Sequence, residues 1–357
     1  MKIVAIIGSG TMGHGIAQIA AMSGYNVILY GRSSESIENA IFKIKSSLQK
    51  LLKKGVISEK DVEKTLDRIL PTTSLDEKIS EASIIVEAVV EDLLIKQSIY
   101  LSIEKIVQDD AVISTTTSAI PITELQKRLD NPSRVIGAHF FNPPQVMKLV
   151  EIMAGRYTSI DTIDRCINFV KSLNKVPLIL NMEIPGYVVN RILLEMFLTA
   201  ISIVEAGEAT PIEIDYILKK RYGIPMGLFE LADFIGLDIV HSSLKILNMF
   251  DKKFRPSLTI EMMVSKGFLG IKSQRGFYEY PRNNRYEAHY VPSFDKEQYI
   301  ARIIFAGINA AKELINMGVT NMESIDMAVK LGLNFSKGIS EYERMIYDGP
   351  IEELVIS

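Results

Sequence analysis

Short apolar runs alternate with longer segments of helical periodicity through the first half of the chain. KIVAII, NVILY, SIIVEAV, AVIS and RVIGAHF read as buried strands, and MKLVEIM and KVPLIL add two more. Between them, residues 12–23, 36–54, 59–66 and 93–107 carry helical patterns. Strand–helix alternation predicts an α/β fold, a doubly wound and mostly parallel sheet covered on both faces. After Pro185-Gly186 the pattern changes to long helices over 187–206, 211–221 and 235–249. Pro-Gly is a chain punctuator, so a boundary falls there.

The helical half carries an internal repeat. Residues 191–230 align with 302–341 without a gap, at an offset of 111. The identical pairs include Gly207/Gly318, Asp215/Asp326, Lys219/Lys330, Gly227/Gly338 and Glu230/Glu341. The expected organisation is a Rossmann-type dinucleotide domain over 1–185, a helical unit over 186–285 and a second, structural helical unit over 286–357. Asn190 aligns with Ala301, so the two units are not chemically equivalent.

Composition narrows the function classes. The chain has 357 residues, is 47% hydrophobic and has a net charge of −3. That is ample for several cores and gives no footprint for nucleic acid or an anionic membrane. Cys166, the single cysteine, lies in CINFV and reads as a packed core thiol. The start MKIVAIIGSG is not a signal peptide, and no run of about 20 apolar residues occurs, so a cytoplasmic protein is expected. The four histidines lie far apart without ligand spacing, so no metal is expected.

The first strand leads directly into Gly8-Ser9-Gly10-Thr11-Met12-Gly13, which opens a helix. In this context the glycines serve a tight turn, approach to a pyrophosphate and helix–strand packing, with phosphate facing the helix N-terminus. His14 reads as helix filler. About 20 residues further on, a carboxylate usually binds the adenosine ribose. Gly31-Arg32-Ser33-Ser34 stands there instead. A guanidinium and two hydroxyls favour the 2′-phosphate of NADP over NAD.

Further on, His139 closes a strand, and Glu151 lies in the next strand-like run. Imidazole ionises in the neutral range, and a carboxylate can orient it, as acid–base catalysis requires. Spacing alone leaves a satisfied core histidine as the alternative.

Seven stretches run in the order found in 3-hydroxyacyl-CoA dehydrogenases, which the chain resembles through about residue 280. They are GSGTMGHGIA, VEAVVEDLLIK, TTTSAIPITEL, GAHFFNPPQVMKLVE, IPGYVVNRIL, YGIPMGLFELADFIGLD and LGIKSQRGFYEY. The resemblance implies reversible NAD(P)-dependent oxidation of (S)-3-hydroxyacyl-CoA, as in fatty-acid β-oxidation or 3-hydroxybutyryl-CoA metabolism. It implies His139 as general base, Glu151 as its partner, and Ser118 and Asn190 as holders of the reacting oxygen or thioester. Glu91, Lys96, Ser118, Asn142 and Lys272 match cofactor-contacting positions, and Ser47 and Lys54 match coenzyme A contacts.

Two positions depart from the family pattern. Gly31 replaces an acidic residue, and Thr116 replaces an asparagine, which exchanges an amide for a hydroxyl. Single-unit members dimerise through the helical domain, so the second unit is expected to replace that contact. A monomer, or a dimer through other surfaces, follows. The chain ends at Ser357 without a hydratase domain, so any enoyl-CoA hydratase would be a separate, associating protein. Two alternatives stand at this point: a related dehydrogenase of a free hydroxy acid or sugar acid, and a non-catalytic dinucleotide-binding or structural protein.

Overall fold

A strand buried on both faces must be apolar along its length, and IVAII of β1 (Ile3–Ile7) is such a strand, with Val4 to Ile7 fully buried. A computed structural model describes residues 2–281 and 297–347, in two units, Met1–Ile184 and Pro185–Ser357. In the first unit β1 is followed by α1 (Thr11–Met22), β2 (Asn26–Tyr30), α2 (Ser34–Lys53), α3 (Glu59–Asp67), β3 (Ile69–Thr72), β4 (Ile84–Glu87) and α4 (Leu93–Glu104). Then come β5 (Val112–Thr115), α5 (Ile122–Gln126), β6 (Val135–Phe140), β7 (Leu149–Ala154), α6 (Ile160–Ser172) and β8 (Val176–Ile179). The eight strands form one sheet in the order β3-β2-β1-β4-β5-β6-β7-β8. All neighbours are parallel except β6 and β7. The strand order reverses between β1 and β4, which creates the crevice where such sheets bind ligands.

In the first unit the structure adds β3, the short α5 and α6 to what the apolar pattern revealed. Pro71 and the exposed Leu70 obscure β3, and a proline is tolerated there because β3 is an edge strand. The amphipathic α6 is capped by Ser159, whose side chain accepts from Thr162 N, and buries Cys166, Phe169 and Val170. Burial pushes the Cys166 thiol up to about 12.

The second unit comprises α7 (Val189–Glu205), α8 (Pro211–Lys220), α9 (Leu228–Ile235), α10 (Leu237–Phe250), α11 (Leu258–Ser265), α12 (Glu297–Asn316), α13 (Met322–Leu333) and α14 (Ile339–Tyr347). The single helix expected over 235–249 starts later and is preceded by another. Gly236, at φ +105°, separates α9 from α10. The expected boundary between 285 and 286 lies outside the described residues.

Equivalent contacts recur at the offset of 111. In the first set, Asp215 accepts from Phe229 N and Glu230 N, Lys219 pairs with Glu230 at 2.6 Å, and Gly227 N donates to Glu230. In the second, Asp326 accepts from Ser340 N, Lys330 pairs with Glu341 at 3.0 Å, and Gly338 N donates to Glu341. A Cβ on Gly227 would meet Asp215 Cγ at 2.1 Å, and one on Gly338 would meet Asp326 Cγ at 2.4 Å. Helix α12 lies along α7, and Gly307 abuts Met196, its counterpart at the same offset.

Candidate active site

The glycine turn lies at the carboxyl ends of β1 and β4. Gly8 has φ +119°, and a Cβ there would fall 2.4 Å from Ala88 O. A Cβ on Gly13 would fall 1.7 Å from Gly8 O, so any side chain would force α1 away from the turn. At Gly10 an added Cβ meets nothing within 4 Å. The turn is therefore tight behind and open in front, which fits a pyrophosphate at the N-terminus of α1. Thr11 and Met12 supply that first turn.

A cavity of about 500 Å³ adjoins the turn. Its walls include Gly8, Gly10, Tyr30, Arg32, Ser36, Asn39 and Lys43, opposite an apolar side of Val89, Val90, Ile95 and Ile99. Arg32 is among the lining residues. Ser33 and Ser34 are not among the lining residues. Ser33 Oγ accepts from Ser36 N as the N-cap of α2, and Ser36 Oγ donates to Ser33 O. Gly31 is buried, and a Cβ there would come within 2.7 Å of Ser36 Oγ, Ser9 Oγ and Ile37 Cγ1.

Beyond β4 and β5 lies a buried polar network. Glu87, fully buried at the end of β4, accepts from Lys96 Nζ at 2.7 Å, Thr115 Oγ1 at 2.8 Å, Val89 N at 2.8 Å and Tyr100 OH at 3.0 Å. Lys96, also fully buried, reaches Glu91 at 3.3 Å on its other side. Glu91 Oε1 accepts from Thr117 Oγ1 at 2.5 Å, Ser118 N at 2.8 Å and Ala119 N at 3.1 Å. Burial pushes the Glu91 carboxyl up, but the Lys96 ammonium and these hydrogen bonds outweigh it and hold the group below its ordinary range. Burial likewise opposes charge on Lys96, and the two carboxylates overcome it. The network fixes the loop that carries Ser118. Thr116 contributes its backbone N–H, which donates to Glu87 O at 2.9 Å.

Antiparallel pairing of β6 with β7 explains the spacing of His139 and Glu151. The two residues stand directly opposite each other in the register. Side chains opposite each other project to the same face, and His139 Nδ1 lies 2.8 Å from Glu151 Oε2. Glu151 is fully buried and His139 nearly so, with Phe141 edge-on to the imidazole. The loop that follows, with Asn142, is tied down by Lys175, whose Nζ donates to Pro144 O at 2.5 Å and Met147 O at 2.7 Å. Burial, aided by Lys148, brings Lys175 down to about 8.

The remaining expected residues lie on other elements. Ser47 lies on α2 and Lys54 caps its C-terminal end. In the second unit, Asn190 stands in the first turn of α7, and Lys272 pairs with Asp238 at 2.5 Å. Sequence reading missed Glu87, Lys175, Asn39 and Lys43. For Glu87 a signal existed: a carboxylate ending an apolar strand at the ligand edge of a parallel sheet. Among the described residues no group of three or more histidine, cysteine or acidic side chains gathers as a metal site, and no helix is long and apolar enough to cross a membrane.

Residues 3–183 match the family model of the 3-hydroxyacyl-CoA dehydrogenase NAD binding domain, and 186–280 match that of the C-terminal domain. A probable 3-hydroxybutyryl-CoA dehydrogenase of Deinococcus radiodurans is 40% identical over 277 residues, covering 77% of this chain and 99% of that protein. The crystal structure of (S)-3-hydroxybutyryl-CoA dehydrogenase from Ralstonia eutropha is 38% identical with a TM-score of 0.74, covering 79% of this chain and 100% of the other. That of 3-hydroxybutyryl-CoA dehydrogenase from Escherichia coli K12 has a TM-score of 0.84 at 26% identity and covers 98% of this chain and 96% of the other. The chain belongs to the 3-hydroxyacyl-CoA dehydrogenase family and is an oxidoreductase acting on a CH–OH group.

Proposed function

We propose that the protein interconverts (S)-3-hydroxyacyl-CoA and 3-ketoacyl-CoA with His139 as the acid–base group. The observation that carries this reading is the buried 2.8 Å contact of His139 Nδ1 with Glu151. A carboxylate accepting from Nδ1–H fixes the tautomer, so proton exchange with the substrate hydroxyl runs through Nε2. It also stabilises the imidazolium once the proton arrives. A bound nicotinamide supplies the hydride acceptor. In reduction the same histidine, protonated, returns the proton to the ketone oxygen.

Other roles rest on the resemblance together with the local geometry. Ser118, held by Glu91, donates to the reacting oxygen or the thioester, and Asn190 is assigned the same substrate. Gly8, Gly10, Thr11, Met12 and Gly13 hold the pyrophosphate, and Glu91, Asn142 and Lys272 serve the cofactor. Lys96 acts through Glu87 and Glu91, because its ammonium is buried between them. Ser47 and Lys54 meet the polyanionic coenzyme A, for which lysine is a point charge. Arg32, next to Gly31 where a ribose-binding carboxylate usually stands, supports NADP over NAD.

The second helical set is read as a duplicate that replaces a dimer contact. Gly307 packs on its own counterpart Met196, which is the arrangement at the axis of a self-complementary interface. The repeated Asp–Gly and Lys–Glu contacts support the same reading.

The test is the absorbance at 340 nm of NADH or NADPH on adding acetoacetyl-CoA, with free acetoacetate as comparison. The proposal predicts oxidation of the reduced cofactor by the thioester and little by the free acid. Turnover of the free acid alone would point to a hydroxy-acid dehydrogenase, and no change with any substrate to a non-catalytic protein.

A further inference from the structure

Helix α2 carries more than its N-terminal cap. Ser36, Asn39 and Lys43 share one face at three- and four-residue spacing, and all three line the cavity beside the glycine turn together with Arg32. No lining residue of that cavity is acidic. Among the described residues, neither Arg32 nor Lys43 has a carboxylate within ion-pair distance. Two cations thus face a hollow that adjoins the pyrophosphate turn, opposite the apolar side formed by Val90 and Ile95. That side suits the face of an adenine, and the cations suit an anion attached to its ribose.

The alternative ligand, an unphosphorylated ribose, needs a carboxylate near its 2′-hydroxyl. The natural place for one is residue 31. The Cβ of any side chain there would lie 2.7 Å from Ser36 Oγ and Ile37 Cγ1, in the first turn of α2. A side chain at 31 would therefore have to displace the Ser36, Ile37 and Ser9 side chains first. The field of Lys43 also reaches the glycine turn. His14 sits below the ordinary histidine range chiefly through burial, and Lys43 adds to that.

We propose that Arg32 and Lys43 are paired cations of a subsite for the adenosine 2′-phosphate, with Asn39 on the same helix face as a third polar contact. This rests on the reading that the enzyme uses NADP. It goes further by assigning specificity to a residue on the third turn of α2, eleven positions beyond Arg32.

The test is calorimetric binding of adenosine 2′,5′-bisphosphate and of 5′-AMP to the full-length protein, which needs no turnover. The wild type is expected to bind the bisphosphate at least about tenfold more tightly, since a charge-assisted contact contributes that order of affinity. Lys43→Ala and Arg32→Ala should each remove about tenfold of that preference. Neither should alter AMP binding by more than a few-fold. Lys43→Arg should keep most of the preference. If Arg32→Ala removes the preference and Lys43→Ala leaves it intact, the paired subsite is wrong while the NADP reading survives. If the wild type binds AMP as tightly as the bisphosphate, the NADP reading itself fails.

Discussion

The His139→Gln variant is expected to transfer hydride to acetoacetyl-CoA about 10²- to 10⁴-fold more slowly than the wild type, the range for loss of a positioned acid–base group. Glutamine is the informative replacement. It fills much of the imidazole volume and can donate to Glu151, which is fully buried and would otherwise lose the donor at its Oε2. It cannot take up or release a proton. The loss should therefore appear in kcat, while the KM for the thioester changes by a few-fold at most. A parallel rise in KM with unchanged kcat would assign His139 to binding instead.

The second large effect concerns stability. Glu87→Leu is expected to destabilise the first unit by about 3 kcal/mol, at the low end for breaking a buried ion pair. The low end applies because Lys96 retains Glu91 at 3.3 Å. In the variant, Lys96 Nζ, Tyr100 OH, Thr115 Oγ1 and Val89 N all lose an acceptor in the interior. For a unit of this size the corresponding fall in Tm is about 6–12 °C. Calorimetry measures it directly. A variant that melts within a degree or two of wild type would show that the network contributes little. Adding Lys96→Met should restore part of the loss, since removing both partners relieves the uncompensated charge.

Much of this was legible in the sequence where one local rule governed the outcome. The glycine turn reads directly because φ at Gly8 and the packing of Gly13 against Gly8 O each admit no side chain. The twelve-position separation of His139 and Glu151 looked uninformative. It becomes a consequence of structure once β6 and β7 pair antiparallel with those residues in register. That pairing is a tertiary fact that no periodicity states. Strand β3 was hidden because its edge position tolerates the proline that argues against a strand. Lys43 was hidden because a lysine on an amphipathic helix looks solvated until the neighbouring loop defines a cavity. The capping role of Ser33 was overlooked for the opposite reason. Serine at a helix start satisfies the backbone first, and the capping box takes the side chains of Ser33 and Ser36.

The role of Glu151 tests the account most directly. Single-turnover hydride transfer from bound NADPH or NADH to acetoacetyl-CoA would be followed in wild type and Glu151→Gln, with the Kd for the thioester measured on each. The account predicts that transfer slows by about 100-fold or more while the Kd stays within a few-fold, because the carboxylate orients and charges His139 without touching the substrate. Transfer at the wild-type rate would contradict it, and would leave the 2.8 Å contact a structural pair in the sheet.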